Sequence, residues 1–138
     1  MPNYPEAVVA PMRAELEGAG FTQLLTPAEV DAALDRPGTT LLVLNSVCGC
    51  AAGSLRPGVV KAMTERELQV DHRVTVFAGM EKDAVERARQ RFGDTAPSSP
   101  NIAVFRDGQL ALHFPRRVFE NLTADQVADE LERALRRP

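Results

Sequence analysis

Residues 39–47, TTLLVLNSV, form an apolar run with β-branched residues, and CGCAAG follows at once. The apolar centre of the run predicts a buried strand, the first in the sheet. Apolar residues at helical spacing come next, over residues 59–63, and predict a helix. The two cysteines of the chain, Cys48 and Cys50, are therefore expected where a buried strand gives way to a helix.

Helices and strands are predicted along the rest of the chain as well. Apolar spacing, capping residues and stop signals predict four further helices, at 4–19, from Pro27 to the stop at Pro37–Gly38, at 81–92 and at 123–135. Alternating apolar residues predict strands at 73–78, 101–106 and 109–114. Asp107–Gly108 joins the last two strands and is typical of a tight hairpin.

The order of these elements predicts one α/β domain over residues 1–138. Strands that alternate with helices pair in parallel, whereas the terminal hairpin adds antiparallel strands. We therefore expect a central mixed sheet flanked by helices, with an additional helix at the N-terminus. Pro11 predicts that the regular part of this first helix begins near that proline. DTAPSSP, residues 94–100, is predicted to be a loop.

Charge and hydropathy exclude several classes of protein. The net charge is −3, from 16 Lys and Arg against 19 Asp and Glu, which gives no electrostatic reason to bind nucleic acid or an anionic membrane. Arg116–Arg117 and Arg136–Arg137 are short basic pairs, typical of solvated surface. The N-terminus lacks a signal-peptide pattern and no apolar stretch is long enough to span a membrane. We expect a cytoplasmic protein, in which paired cysteines are typically catalytic, redox-active or metal-binding.

The position of the cysteines favours thiol–disulfide exchange. Unsatisfied backbone N–H groups at a helix start stabilise a thiolate and lower its pKa. Cys48, the first of the pair, is the candidate attacking thiol, and Cys50 is the candidate resolving thiol. Gly49 relaxes the backbone that so small a disulfide ring requires. Such a strained disulfide is more easily reduced, which suits exchange better than structural cross-linking.

Two other interpretations of the cysteines remain open. Two small thiols can simply pack in the core. Alternatively, both cysteines with His72 and His113 are nominally enough ligands for zinc, although C-x-C is tighter than the usual finger spacing and the histidines lie far apart in the sequence. We expect no structural metal, and each histidine alone is typical of a strand end or the surface.

Ser99–Pro100 comes directly before a predicted strand. A proline at this place, together with the strand–CGC–helix unit and the following hairpin, resembles the thioredoxin-like folds, in which a cis-proline faces the active cysteines. We therefore predict a cis Ser99–Pro100 bond in van der Waals reach of the cysteines. Gly49, Ser99 and Pro100 are then expected to line the substrate groove.

The chain resembles the bacilliredoxin family of small thioredoxin-like proteins over nearly its whole length. The resemblance lies in YPEAVVAPMRAEL near the start, in LNSVCGCAAG with the RPG that follows, in SSPNIAVFRDG and in FPRR. It implies an enzyme that removes bacillithiol, a low-molecular-weight thiol, from capped client proteins. By the same resemblance Cys48 attacks the bacillithiol sulfur, and Cys50 or a second bacillithiol resolves the adduct. No bound cofactor is implied, since bacillithiol acts as a co-substrate.

One segment departs from the family pattern, and other functions stay open. Ser54–Leu55, before Arg56–Pro57, is bulkier than the small residues expected there, a change that can alter the shape of the groove without touching the chemistry. In a host without bacillithiol the same site would serve as a general protein disulfide reductase or isomerase. A non-catalytic module that binds a metal or a partner through its thiols is the other class of function.

Overall fold

The computed structural model describes residues 3–93 and 99–136. The helices are α1 Glu6–Glu17, α2 Pro27–Leu34, α3 Arg56–Thr64, α4 Lys82–Gln90, α5 Arg116–Phe119 and α6 Ala124–Leu135. The strands are β1 Thr22–Gln23, β2 Thr39–Asn45, β3 His72–Phe77, β4 Asn101–Arg106 and β5 Gln109–Phe114. A π-helical segment, Ala51–Leu55, leads directly into α3. Across these two ranges, no helix is long and apolar enough to cross a bilayer.

The strands form a mixed sheet in the order β1-β3-β2-β4-β5. Both β1 and β2 run parallel to β3, whereas β4 is antiparallel to its neighbours β2 and β5. Asp107 and Gly108, between β4 and β5, have φ angles of 51° and 83°. Two successive positive φ angles are typical of a two-residue hairpin turn. The predicted mixed sheet, flanking helices and terminal hairpin are confirmed.

The central strand β2 is buried because helices cover both faces of the sheet. Leu41 and Val43 belong to the core cluster that α1, α3 and α6 close. Leu42 and Leu44 belong to the opposite cluster, which α2 and α4 close. Because successive side chains of a strand point to opposite faces, a strand covered on both sides requires an unbroken apolar run. That requirement explains the TTLLVL segment.

Two short elements were missed by the sequence analysis. The two-residue strand β1, Thr22–Gln23, pairs with β3, so the prediction that β2 is the first strand of the sheet was wrong. The four residues of α5, Arg116–Phe119, form little more than one helical turn. Neither segment is long enough to display a hydrophobic period, which is the signal that sequence reasoning uses.

The prediction that α1 begins near Pro11 was also wrong. The helix begins at Glu6 and continues through Pro11. Val9 and Leu16, which lie on either side of the proline, are fully buried. Proline removes one backbone donor, and we attribute the unbroken helix to the packing of these two side chains. In the predicted loop at 94–100, residues 94–98 lie outside the described residues, and Ser99 and Pro100 lie in neither helix nor strand.

The close approach of α3 and α6 requires glycine at position 58. A Cβ atom built on Gly58 would lie 2.4 Å from Val127 Cβ and 2.9 Å from the carbonyl oxygen of Ala124. We therefore expect Gly58→Ala to lower the free energy of unfolding by about 1–3 kcal/mol, because the helices must separate. Urea denaturation measures this difference.

Gly53→Ala is the matched control, since a Cβ there would meet no atom within 4 Å. It should leave the stability unchanged or raise it by up to about 1 kcal/mol, through the lower entropy of the unfolded chain. Equal unfolding midpoints for the two variants would contradict the proposed role of Gly58.

Candidate functional site at the two cysteines

The cysteines lie where β2 ends and the helical segment begins. Residues Gly49 and Cys50 are already helical, and the carbonyl oxygen of Cys48 accepts hydrogen bonds from the backbone N–H groups of Ala51 and Ala52, at 3.0 and 3.2 Å. Cys48 therefore lies just before the helix and Cys50 within its first turn, as predicted. The two Sγ atoms are 3.0 Å apart, and both cysteines are free thiols in the structure.

The two thiols have opposite pKa shifts. A hydrogen bond from the Cys50 side chain lowers the pKa of Cys48, and the backbone of Cys50 and the charge of Arg116 act in the same direction. Burial raises the pKa of Cys50, and the neighbouring Cys48 raises it further. Both residues are half-buried, but burial is the main cause of the pKa shift only at Cys50. The pair therefore ionises first at Cys48, with the remaining proton on Cys50.

A series of hydrogen bonds fixes the loop before the thiols. The backbone N–H of Cys48 donates to Ser46 Oγ at 3.0 Å, and the N–H of Ser46 donates to Asn45 Oδ1 at 2.8 Å. Asn45 in turn donates from Nδ2 to the carbonyl oxygen of Met12 in α1, at 3.3 Å. The end of β2 is thus held by side-chain contacts up to the residue that carries the first thiol.

A buried arginine completes this support. Arg56 is only 2% exposed. Its Nη1 donates to Asn45 Oδ1 at 3.0 Å and to the carbonyl oxygen of Ser46 at 2.7 Å, and its Nε forms an ion pair with Glu15 of α1. One guanidinium therefore links α1, the end of β2 and the start of α3.

Ser54 and Leu55, which depart from the small residues expected before Arg56, each have a structural role. Its Oγ lies 2.8 Å from the carbonyl oxygen of Cys50 and 3.2 Å from that of Phe119 in α5. Leu55 is fully buried in the core. The hydroxyl thus connects the helical turn of the cysteines to α5, and the leucine contributes to packing. The π-helical geometry of Ala51–Leu55 is a feature that is frequent at functional sites.

The predicted cis Ser99–Pro100 bond is confirmed. Pro100 is buried and Ser99 half-buried. Asn101, the next residue, pairs with Leu44 near the end of β2, so Pro100 lies at the same edge of the sheet as the cysteine loop. Direct contact between Pro100 and the thiols stays a prediction.

The structure does not assemble the four residues of the alternative zinc site. His72 begins β3 beside Thr40, at the edge of the sheet opposite the thiols. His113 pairs with Ala103 in β4 and packs against Phe92, with ring centroids 4.7 Å apart and the rings tilted by 38°. Burial lowers its pKa. Within residues 3–93 and 99–136, no group of three or more His, Cys, Asp or Glu has the arrangement of a metal site.

Two residues of the site were missed by sequence reasoning. One is Arg56. The other is Arg116, for which the sequence predicts only solvated surface. Arg116 is indeed exposed, but its positive charge acts to lower the pKa of both thiols. The signal that was available for Arg116 is its place two residues after the last strand, whose hairpin partner begins at Asn101, directly after Pro100.

Comparisons with known proteins assign the chain to a family. The model of the family described as "Disulphide isomerase" matches residues 4–137. A bacilliredoxin of Cytophaga hutchinsonii is 51% identical over 129 residues, which cover 94% of this chain and 95% of that protein. A bacilliredoxin of Salinibacter ruber is 47% identical over 133 residues, which cover 95% and 78% respectively. The chain belongs to the bacilliredoxin family. A third member, from Bacillus cereus, is 43% identical over 133 residues, covering 96% of this chain and 92% of its own.

Solved structures confirm the thioredoxin fold. Thioredoxin from Trypanosoma brucei brucei superposes with a TM-score of 0.59 at 15% identity, covering 85% of this chain and 92% of its own. Mitochondrial thioredoxin 3 from Saccharomyces cerevisiae gives a TM-score of 0.56 at 15% identity, covering 84% and 93%. Together with the family, this fold makes the chain a thiol–disulfide oxidoreductase.

Proposed function

We propose that this bacilliredoxin removes bacillithiol from capped protein cysteines in the cytoplasm, with Cys48 as the attacking thiol. The observation that carries the proposal is the placement of two thiols 3.0 Å apart at a helix start, where the Cys50 hydrogen bond lowers the pKa of Cys48 and burial raises the pKa of Cys50. The thiolate is the nucleophile in exchange, and Cys48 is the thiol that ionises first. The names of the relatives support bacillithiol as the co-substrate.

In the first step the Cys48 thiolate attacks the bacillithiol sulfur of the client's mixed disulfide. A bond forms between Cys48 Sγ and that sulfur, and the bond between bacillithiol and the client sulfur breaks. The electron pair leaves on the client thiolate, which takes a proton from solvent. The client is thereby reduced, and bacillithiol is carried by Cys48.

The second step returns bacillithiol to solution by one of two routes. In one, Cys50 loses its proton and attacks Cys48 Sγ, bacillithiol leaves as a thiolate, and the protein ends with a Cys48–Cys50 disulfide. In the other, a second bacillithiol attacks the bound bacillithiol sulfur, which yields bacillithiol disulfide and the Cys48 thiolate. After the first route, two further bacillithiol molecules reduce the protein disulfide by the same exchange chemistry.

The client is proposed to approach over Gly49, Ser99 and Pro100. Gly49 is exposed, and a Cβ atom there would meet nothing within 4 Å. The residue between the two thiols therefore borders open space. The backbone before β4 would pair with an extended client segment as an added strand, which places the client disulfide beside Cys48.

The decisive experiment mixes the reduced protein with a client protein that carries bacillithiol on a single cysteine. Intact-mass spectrometry should show the client losing the mass of bacillithiol faster with the protein than without it. The variant with both Cys48 and Cys50 replaced by serine is the control for spontaneous loss. Equal rates with the protein and with this control would refute the proposed function.

General disulfide reduction or isomerisation is the second candidate function, and the description of the matching family model favours it. A client with scrambled internal disulfides and no bacillithiol distinguishes the two activities. Faster recovery of that client than of the capped client would favour isomerisation. A redox titration addresses the non-catalytic alternative, because a module that only binds a metal or a partner through its thiols shows no reversible disulfide couple.

The pH dependence of alkylation tests why Cys48 ionises first. The rate of Cys48 alkylation by iodoacetamide should rise with pH through a midpoint below the value of a free thiol, because the Cys50 hydrogen bond lowers its pKa. Cys50→Ala removes this donor, so the midpoint should move to higher pH. Cys50→Ser keeps a hydroxyl donor and should shift the midpoint less. An unchanged midpoint in Cys50→Ala would show that the hydrogen bond is not the cause.

A further inference from the structure

We infer that an apolar patch on the outer surface of α1 binds apolar side chains of the client protein that flank its capped cysteine. This α1 patch comprises the side chains of Tyr4, Pro5, Val8, Pro11 and Met12. The inference rests on the proposed exchange function and deepens it, since it names the chemistry of the client surface that the site accepts best. It leaves the roles of the two cysteines as they stand.

Two contacts fasten α1 to the segment that leads to the thiols. The carbonyl oxygen of Met12 accepts a hydrogen bond from Asn45 Nδ2 at 3.3 Å, and Glu15 forms an ion pair with Arg56. Asn45 Oδ1 in turn accepts from the N–H of Ser46 at 2.8 Å, and Arg56 Nη1 donates to the carbonyl oxygen of Ser46 at 2.7 Å. The side of α1 that carries Met12 and Glu15 therefore lies beside the start of the cysteine loop.

Val8 belongs to the same side of the helix. Val8, Met12 and Glu15 follow the i, i+4, i+7 spacing of one helix face. Met12 and Val47 both pack on one small buried cluster, which consists of Val9, Phe77 and Met80. Because Val47 directly precedes Cys48, apolar side chains lead from Val8, through Met12 and this cluster, to the residue that carries the attacking thiol.

The α1 patch is accessible and its members are uncharged. Val8 is 48% exposed. A single exposed valine is ordinary, but the positions three and four residues away, which are its neighbours on a helix, are apolar as well: Tyr4, Pro5, Pro11 and Met12. Both prolines are exposed, and the tyrosine and the methionine are half-buried. Contiguous apolar surface of this kind marks a site that binds a partner.

The partner that reaches this surface is the client, because the patch adjoins the attacking thiol. A disulfide of the client must come within bonding distance of Cys48 Sγ, so the client residues beside that disulfide lie over the surface that borders Cys48. An extended segment advances by about 3.3–3.6 Å per residue, so three residues cross the width of a helix, about 10 Å. Apolar client side chains bury the patch without desolvating a charge, and polar ones gain less.

Two client peptides that differ only beside the cysteine test the inference. Each carries bacillithiol on its single cysteine, and the two positions on either side of that cysteine are leucine in one peptide and serine in the other. With the unaltered protein, kcat/KM for release of bacillithiol should be higher for the leucine peptide. The ratio of the two kcat/KM values should fall about fivefold in Val8→Ser, because a valine side chain no longer packs on the leucines. Mass spectrometry of the peptides measures the release.

Val8→Leu and Leu25→Ser are the matched controls. Val8→Leu keeps an apolar side chain and should retain the ratio of the unaltered protein. Leu25 is 52% exposed, much like Val8, but it lines a cleft with Glu17, which lies about two and a half turns of α1 after Val8 and therefore on the opposite side. Leu25→Ser should leave the ratio unchanged. The ratio compares two peptides with one variant, so a loss of folded protein or a change in the pKa of Cys48 cancels.

Equal kcat/KM values for the two peptides with the unaltered protein would overturn the role of the α1 patch while the exchange function stands. An unchanged ratio in Val8→Ser, or an equal fall in Leu25→Ser, would overturn it as well. So would a dimer, detected by light scattering at the assay concentration, that Val8→Ser dissociates, since the patch would then bind a second copy of the chain. Release from neither peptide above the spontaneous rate would instead refute the exchange function on which the inference rests.

Discussion

Cys48→Ser should lose removal of bacillithiol from a capped client, whereas Cys50→Ser should still release the client and retain bacillithiol on Cys48. Serine at position 48 cannot form the disulfide-bonded intermediate, so the rate of client release should fall by about two orders of magnitude or more, to the spontaneous rate. Serine at position 50 leaves the first attack intact and removes only the internal resolving thiol. Intact-mass spectrometry of each variant after mixing with a capped client measures both effects.

The two variants are matched controls for each other, since each makes the same sulfur-to-oxygen change two residues from the other. If Cys48→Ser carried the adduct and Cys50→Ser did not, the roles of the thiols would be reversed. If neither variant carried it and neither released the client, the thiols would need an explanation other than exchange. In the expected case, where Cys50→Ser carries bacillithiol on Cys48, added free bacillithiol should remove it, because a second thiol can resolve the mixed disulfide from solution.

Arg56→Met should lower the free energy of unfolding by about 2–4 kcal/mol. Methionine fills most of the volume of the arginine stem, so the expected loss comes from the polar contacts. Asn45 Oδ1 and the carbonyl oxygen of Ser46 lose a charged donor, and Glu15 loses its partner. Asn45 Oδ1 keeps the Ser46 N–H, so the main cost comes from the buried carbonyl oxygen of Ser46 and from Glu15, which are left without their charged partner. Urea denaturation followed by circular dichroism measures the change.

Arg66→Met is the control for this prediction. Arg66 also forms an ion pair, with Asp129, but the two side chains are 26% and 54% exposed, so its loss should cost about 0–1 kcal/mol. The rate at which iodoacetamide alkylates Cys48 should also change in Arg56→Met. Arg56 binds the carbonyl oxygen of Ser46, and the hydroxyl of Ser46 accepts a hydrogen bond from the Cys48 N–H. Equal stability losses in the two variants would show that Arg56 does not hold the end of β2.

The parts of the fold that the sequence predicted are those with strong local signals. The apolar run of β2, the glycine in the Asp107–Gly108 turn and the capping box that begins with Thr123 each leave a pattern within a few residues. The position of the cysteines at the helix start followed from the same local order. The cis Ser99–Pro100 bond was predicted from a resemblance between folds rather than from the proline itself.

The parts that were missed depend on contacts between distant segments. Arg56 and Glu15 are 41 residues apart, and an arginine at the start of a helix gives no local sign of burial. Arg116 belongs to a helix of four residues, and its charge matters only because the hairpin returns it to the edge of the cysteine loop. At Pro11 the local signal gave a wrong start for α1, because the packing of Val9 and Leu16 outweighs the tendency of proline to interrupt a helix.

The most direct test of the central claim locates bacillithiol during the first turnover of the unaltered protein. The reaction with a capped client is stopped with acid within one turnover, and the protein is digested and analysed by peptide mass spectrometry. We predict bacillithiol on Cys48, followed at later times by a Cys48–Cys50 disulfide or by free Cys48. Bacillithiol found first on Cys50, or release of the client with neither cysteine modified, would contradict the account.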